Sequence, residues 1–358
     1  MVHKMKKIIS VTKGDGCGPE VVNEGIKVLN TIEEYSDYDF ELIEAPAGGE
    51  VWKKFGTNLP DKSFQTIKDS DALLFGAIGL PELQPGVAES AILKLRQGLD
   101  LYVNLRPVKL YDNLREICPL KDKFIGDGID ITFVRENTEG IYKNIGKLED
   151  DSAENVMLYS RKGCERIIKH AFEIAKRKGH NKVTSVDKAN ILKPSQLWRK
   201  IFHEIHKDYP DLDTEDIYVD AFCQWLIRAP FKFQTVVTGN MFGDIISDEA
   251  AFLIGSLGMA SSGNIHPGKV SMYEPIHGSA PDIAGKGIAN PIGTILSVKL
   301  MMEESFNSLD IGNEIDKAVE AALHEGRTVD IKSKSLNTLS TVEMGDLIAS
   351  NLKSSLKA

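Results

Sequence analysis

The stretch GDGCGPE, residues 14–20, follows the apolar run IISV and opens a segment with helical periodicity. Strand, glycine loop and helix in that order would fix a Rossmann fold if the loop carried the dinucleotide fingerprint. That fingerprint needs glycine at its sixth place, where this chain has Pro19. Proline suits the first turn of a helix, where its missing N–H would have no partner anyway. No Walker lysine follows, so phosphoryl transfer on a P-loop is excluded as well. The Rossmann fold is rejected. Two readings of the loop stay open: a phosphate cradle of another kind, or a tight strand-to-helix turn whose glycines take positive φ.

Beyond that loop, short β-like runs at 7–11, 40–43, 72–75, 131–134, 183–186, 217–220 and 235–237 alternate with helical stretches at 19–34, 88–98, 161–178 and 195–207. Such alternation predicts an α/β fold with a largely parallel sheet. Late in the chain Asn290 can cap a helix that starts at Pro291 and runs to about Glu304. The 358 residues allow two domains or one bilobed unit. Hydrophobic residues at 42% and charged ones at 27% are those of a globular protein with a real core. A formal net charge of −9 leaves no excess of cations to neutralise nucleic-acid phosphates. The N-terminal segment has no apolar h-region and no apolar run reaches membrane-spanning length, so a cytoplasmic protein is expected. Cys17, Cys118, Cys164 and Cys223 form no C-x-x-C pair and read as buried thiols.

In VTGNMFGDIISDEAAFLIGSLG, residues 237–258, Asp244 and Asp248 stand four apart in a helical pattern. Like charges at that spacing share a face and repel. A cation would relieve them, and Asp220, at the end of IYVD, offers a third carboxylate. Oxygen ligands without Cys or His suit Mg²⁺ or Mn²⁺. The plain alternative is a solvated acidic helix start. Arg96, Arg106 and Arg135 could fork onto the carboxylates of a di-acid, or be ordinary surface partners. Lys188 follows a strand directly, a poor place for packing, where neighbouring cations could bring its amine into proton exchange. Tyr142 could deliver a proton from its phenol. Asp15 and Asn240 also follow apolar runs directly. His203 and His206 do not form H-E-x-x-H.

The motifs GDGCGPE, NLRP, VRENTEGIY, SVDKAN, YVDAF, TGNMFGDIISD, GSLGM and EPIHGSAPDIAGKGIANP occur here in one order. Together they resemble the metal-dependent β-decarboxylating dehydrogenases, the family of isopropylmalate, isocitrate, homoisocitrate and tartrate dehydrogenases, over about residues 7 to 350. The resemblance implies a bilobed, non-Rossmann α/β fold with a largely parallel, mixed sheet. It implies a discontinuous coenzyme domain, 1–101 with 255–358, and a smaller domain, 102–254, carrying the metal site and the dimer interface. It further implies a homodimer or tetramer whose active site, in the cleft, borrows Lys188 and Asp220 from the partner copy. By the same resemblance Asp220, Asp244 and Asp248 hold Mg²⁺ or Mn²⁺, Asp220 also facing the substrate. Lys188 then removes the hydroxyl proton, Tyr142 protonates the enolate, and Arg96, Arg106 and Arg135 hold the carboxylates.

The segment 274–291 resembles the family's coenzyme loop, which implies contacts from Glu274, His277, Gly278, Ser279, Ala280, Asp282, Ala289 and Asn290. A carboxylate at Asp282 would accept from ribose hydroxyls and repel a 2′-phosphate, so NAD is expected. Ile92 and Leu93 precede Arg96 on its helical face. They and Glu89 match the isopropylmalate branch, where aliphatic side chains receive the isopropyl group. Isocitrate enzymes carry Ser and Asn there, and homoisocitrate enzymes supply an arginine. Asn137, Glu139 and the loop at 76–90 depart from that branch, so homoisocitrate, isocitrate or tartrate and malate stay as alternatives. A non-catalytic regulatory homologue is a further one, against which the retained Tyr142, Lys188 and aspartates speak.

Overall fold

The run at 7–11 becomes the strand Met5–Gly14, with Ile9 and Val11 inside. The structure is a computed structural model that describes residues 4–84 and 86–357; the side chain of Glu89 lies outside the description. The chain divides into two compact units, Met1–Asp100 with Gly255–Ala358, and Leu101–Ile254.

In the first unit the strand order is Tyr38–Glu44, Met5–Gly14, Ala72–Ala77, Ser271–Pro275, Ser261–Ile265. The first four run parallel; the last is antiparallel to its neighbour. Ala72–Ala77 is buried at every residue. That explains its continuous apolar spelling, since a parallel strand covered on both faces has no polar side to alternate. Helix Gly18–Tyr35 packs on helices Ile292–Glu304 and Thr341–Leu356. Ile292–Glu304 is enclosed along almost its whole length, as its apolar residues on every face require. It begins one residue later than the sequence pattern places it. Pro291 is the cap residue, and Asn290 Oδ1 accepts from the Ile292 amide at 3.0 Å. Thr341–Leu356 starts with a complete capping box: Ser340 Oγ takes the Glu343 amide, and the Glu343 carboxylate takes the Ser340 amide.

GDGCGPE resolves as the tight turn, and Asp15 is its anchor. The carboxylate is 2% exposed. It accepts the amides of Gly49 at 2.6 Å, Glu50 at 3.1 Å and Gly79 at 2.9 Å. Three backbone donors from two distant loops are thus satisfied by one side chain. Gly48, at φ +127°, must lack a side chain, since a Cβ would sit 2.8 Å from Asp15 Oδ1.

In the second unit the order is Val103–Lys109, Asp130–Glu136, Thr235–Thr238, Lys182–Asp187, Asp213–Tyr218. The first pair is antiparallel and the others are parallel. The sheet strands of both units are therefore mostly parallel, and the fold class is α/β. The expected strand at 217–220 is corrected: the strand ends at Tyr218 and helix Val219–Arg228 begins, so Asp220 lies in a first helical turn. A carboxylate there meets the positive end of the helix dipole, a preference that outweighs the β-like spelling IYV. Among the described residues no helix is long and apolar enough to cross a membrane. Cys17, Cys118 and Cys164 are buried and Cys223 is half-buried; all four are free thiols.

Replacing Asp15 by Ala would strand three amides at about 1–3 kcal/mol each. Asp15→Ala is expected to lower the urea unfolding free energy by at least about 3 kcal/mol, while Asp15→Asn, which keeps one acceptor, loses less. Equal unfolding midpoints for wild type and both variants would refute this anchoring role.

Candidate active site

The second unit gathers the densest set of sequence-predicted residues. Arg106, on Val103–Lys109, and Arg135, on Asp130–Glu136, are 6% and 1% exposed. Both reach the helix Asn240–Leu253, which carries Asp244 and Asp248 a turn apart. Arg106 donates to Asp248 at 2.6 Å and to Ser247 Oγ at 2.8 Å, and lies 3.3 Å from Asp244. Arg135 donates to Asp244 at 2.5 Å. The Tyr142 hydroxyl, from the short turn Ile141–Lys143, donates to the other Asp244 oxygen at 2.8 Å, and its ring lies under the Arg135 guanidinium at 5.4 Å.

Two devices hold Arg135 in place. Asn240 accepts from its Nε through the backbone carbonyl at 2.9 Å, and from its terminal nitrogen through Oδ1 at 2.7 Å. Gly243 leaves room for the side chain, because a Cβ there would stand 2.6 Å from Arg135 Cγ. The sequence marked Asn240 only as a polar residue after a strand; neither its bracket nor the role of Gly243 has a local signature.

Burial pushes the Asp248 carboxyl above its ordinary range and neighbouring Asp244 adds to this, against the attraction of Arg106. Two adjacent carboxylates, with oxygen donors only, fit a hard divalent cation. Asp220 is not grouped with them in this chain. It is exposed and ion-paired with Lys188, whose ammonium lowers its pKa chiefly through that hydrogen bond. Among the described residues no group of three or more His, Cys, Asp or Glu is arranged to hold a metal ion. Lys188 also lies over the Tyr218 ring at 5.9 Å. His203 and His206 are engaged by Asp216 and by the Leu212 carbonyl.

The first unit holds the remaining residues. Arg96 is on helix Val87–Gly98, 3.5 Å from the Glu274 carboxylate, which also accepts from Asn264 at 2.7 Å. Glu274, expected at the coenzyme, thus faces inward as a counter-ion. Ile92 and Leu93 are half-buried on the same helix. His277 donates from Nδ1 to the Gly278 carbonyl at 2.9 Å, and burial pushes its imidazole below the ordinary value. Around Gly278, Gly285 and Gly287 a Cβ would meet nothing within 4 Å. This segment therefore offers open backbone, with the exposed Asp282 carboxylate beside it. A ligand rich in hydroxyl donors, such as a ribose, fits that surface. Ala289 is 3% exposed and Asn290 5%. The Asn290 amide is bonded to Asp330 at 3.0 Å and to the Ile292 amide.

The profile of the isocitrate/isopropylmalate dehydrogenase family matches residues 8–348. Among relatives, the 3-isopropylmalate dehydrogenase of Thermotoga maritima is 44% identical over 354 residues, covering 96% of this chain and 99% of that protein. That of Aquifex aeolicus is 45% identical over 360 residues, covering 98% of both. Among solved structures, isocitrate dehydrogenase from Methylococcus capsulatus superposes with a TM-score of 0.87 at 35% identity, covering 97% of this chain and 99% of that one. A β-decarboxylating dehydrogenase from Thermococcus kodakarensis gives 0.82 at 35% identity, covering 98% and 97%. With inward-facing arginines on paired carboxylates, and likeness along its whole length, the chain belongs to the isocitrate/isopropylmalate dehydrogenase family of decarboxylating dehydrogenases.

Proposed function

We propose that the chain catalyses the NAD-dependent oxidative decarboxylation of 3-isopropylmalate to 4-methyl-2-oxopentanoate, a step of leucine biosynthesis, in the cytoplasm. The observation that carries this reading is the cluster of Arg106, Arg135, Tyr142, Asp244 and Asp248. It combines forks for carboxylates, a proton donor and oxygen ligands in one place. The 3-isopropylmalate dehydrogenases among its relatives, and the aliphatic Ile92 and Leu93, favour the branched substrate.

In this reading Arg96, Arg106 and Arg135 hold the malate carboxylates, so that the reacting bonds are oriented before chemistry begins. Lys188, directly or through a water, takes the proton of the C2 hydroxyl as the C2 hydride leaves. Residues 276–290 would hold NAD, Asp282 accepting from its ribose hydroxyls, and the nicotinamide would supply the hydride acceptor. Breaking the bond between C3 and its carboxylate then releases CO₂ and leaves an enolate. Tyr142 gives its phenolic proton to C3. Asp244, Asp248 and Asp220 would hold Mg²⁺ or Mn²⁺, whose Lewis acidity stabilises negative charge on the C2 oxygen.

Lys188 and Asp220 are assigned to the site of a second copy, in a homodimer. Supporting this, Asp220 pairs with Lys188 and does not join Asp244 and Asp248. Helix Asn240–Leu253 also exposes Ile245 and Phe252, 60% and 61% accessible, seven residues apart on one face. Ile227 on helix Val219–Arg228 is 42% accessible. Large apolar side chains on helix faces are what a partner covers.

NADH formation from isopropylmalate, isocitrate, homoisocitrate, tartrate and malate tests the substrate. Isopropylmalate is expected to give the highest kcat/KM, with activity lost in EDTA and restored by Mg²⁺ or Mn²⁺; a preference for isocitrate would overturn the assignment. Lys188→Ala is expected to reduce kcat by about 10²–10⁴-fold. Mixed subunits of Lys188→Ala and Tyr142→Phe are expected to recover about a quarter of wild-type turnover, since each hybrid dimer rebuilds one intact site. No recovery in verified hybrids would place both residues in one chain's site. Gly243→Ala, by displacing Arg135, is expected to lower kcat/KM on the order of 100-fold with the fold retained by circular dichroism.

A further inference from the structure

The loop GDGCGPE is not explained by the anchoring of Asp15 alone. Its last residue, Glu20, lies in the first turn of helix Gly18–Tyr35, where the helix dipole favours a carboxylate. The two carboxylate oxygens are divided between two backbone amides far along the chain. Oε1 accepts from Gly285 and Oε2 from Gly287, the latter at 3.0 Å. Both glycines have positive φ, +74° and +64°. They end the turn that begins at Ala280 and carries Asp282.

The other end of that turn is tied to the same loop. The Cys17 amide donates to the Ser279 carbonyl at 2.8 Å, and Gly16 has no room for a Cβ against that carbonyl. Cys17 itself packs with Ala280, Ile283 and Ala289. Between these ties Ala280 sits at φ +41°, a conformation that costs energy for a residue with a side chain and persists only where its surroundings enforce it. Internal bonds from Ile283 to Ala280 and from Lys286 to Ile283 set the shape of the turn. Glu20 and Cys17 set its place. Beyond Gly287 the chain is held from elsewhere, by the Thr341 amide on the Gly287 carbonyl at 2.9 Å and the Thr341 hydroxyl on the Ala289 carbonyl at 2.6 Å.

We propose that Glu20 is a positioning residue for the dinucleotide: by gripping the Gly285 and Gly287 amides it preforms the turn that presents Asp282 and the open backbone to the adenosine. The glycine loop thus serves a nucleotide through the protein turn it holds. This rests on the NAD-dependent reading above. The consequence is a separation of effects. Loss of the grip leaves the turn to be ordered by the ligand, so affinity for NAD falls while the chemical step at the arginine and aspartate cluster is unchanged.

The test uses the full-length enzyme and its Glu20→Gln and Glu20→Asp variants. Gln presents an N–H to an amide donor and keeps one acceptor; Asp keeps the charge with a shorter reach. Hydrogen exchange of the unliganded proteins is read at the Gly285 and Gly287 amides, NAD affinity by calorimetry, and kcat and KM with isopropylmalate. In Glu20→Gln both amides are expected to lose protection and the Kd for NAD to rise about tenfold. kcat at saturating NAD and KM for isopropylmalate are expected to stay within about twofold, and Glu20→Asp to fall between wild type and Glu20→Gln in affinity. Faster exchange with an unchanged Kd would overturn the proposal, as would a loss in kcat with NAD affinity intact. Wild-type protein that neither binds NAD nor forms NADH would instead overturn the functional reading, while the exchange measurement still reports on the grip.

Discussion

The Asp244 carboxylate, shared by Arg106, Arg135 and Tyr142, is the interaction on which the candidate site depends. A guanidinium that is 1% exposed cannot remain in the interior without charged and hydrogen-bonding partners. Arg135 finds them in Asp244 and in two oxygens of Asn240. Remove any of these and a buried cation is left short of acceptors. The arrangement therefore forces helix Asn240–Leu253 to lie where its carboxylates meet arginines from two paired strands. The same geometry keeps two acidic groups a helical turn apart without mutual repulsion deciding the matter, because two arginines already balance them.

In the first unit a similar economy governs the backbone. Asp15 and Glu20, five residues apart, each accept amides from loops remote in sequence. A carboxylate answering several N–H groups is a stronger organiser than a neutral side chain, since charge-assisted hydrogen bonds are roughly twice as strong as neutral ones. This explains why a glycine loop that looks made for phosphate holds protein instead. Its own amides are already given to carbonyls, Asp15 N–H to Ala77 and Cys17 N–H to Ser279, so those donors are not free for an anion.

Much of this was legible in the sequence for identifiable reasons. The strands around 7–11, 72–75, 131–134 and 183–186 are apolar runs, and the polar residues that follow them, Asp15, Arg135 and Lys188, do lie at strand ends or just beyond. Strands Ser261–Ile265 and Ser271–Pro275 have no β-like apolar run to mark them, since SSGNI and SMYEP mix apolar with polar residues, although every residue of both is buried. Their ladders and the buried Ile265, Met272 and Tyr273 together keep them inside. The spelling IYV reads as β up to Asp220, whereas a helix starts at Val219. The bracket of Asn240 on Arg135 joins residues 105 positions apart, and the grip of Glu20 on Gly287 joins residues 267 apart. No local pattern encodes contacts of that range.

The discontinuity of the first unit has a temporal consequence. Helix Gly18–Tyr35 packs on Thr341–Leu356, the final helix of the chain. Helix Gly18–Tyr35 therefore cannot complete its packing until residues 341–356 have been synthesised. The continuous stretch Leu101–Ile254 suffers no such delay, because all its strands emerge together. Domains fold as units while synthesis proceeds. The segment Leu101–Ile254, with the arginine and aspartate cluster, is thus synthesised whole before the second segment of the first unit is available to close it.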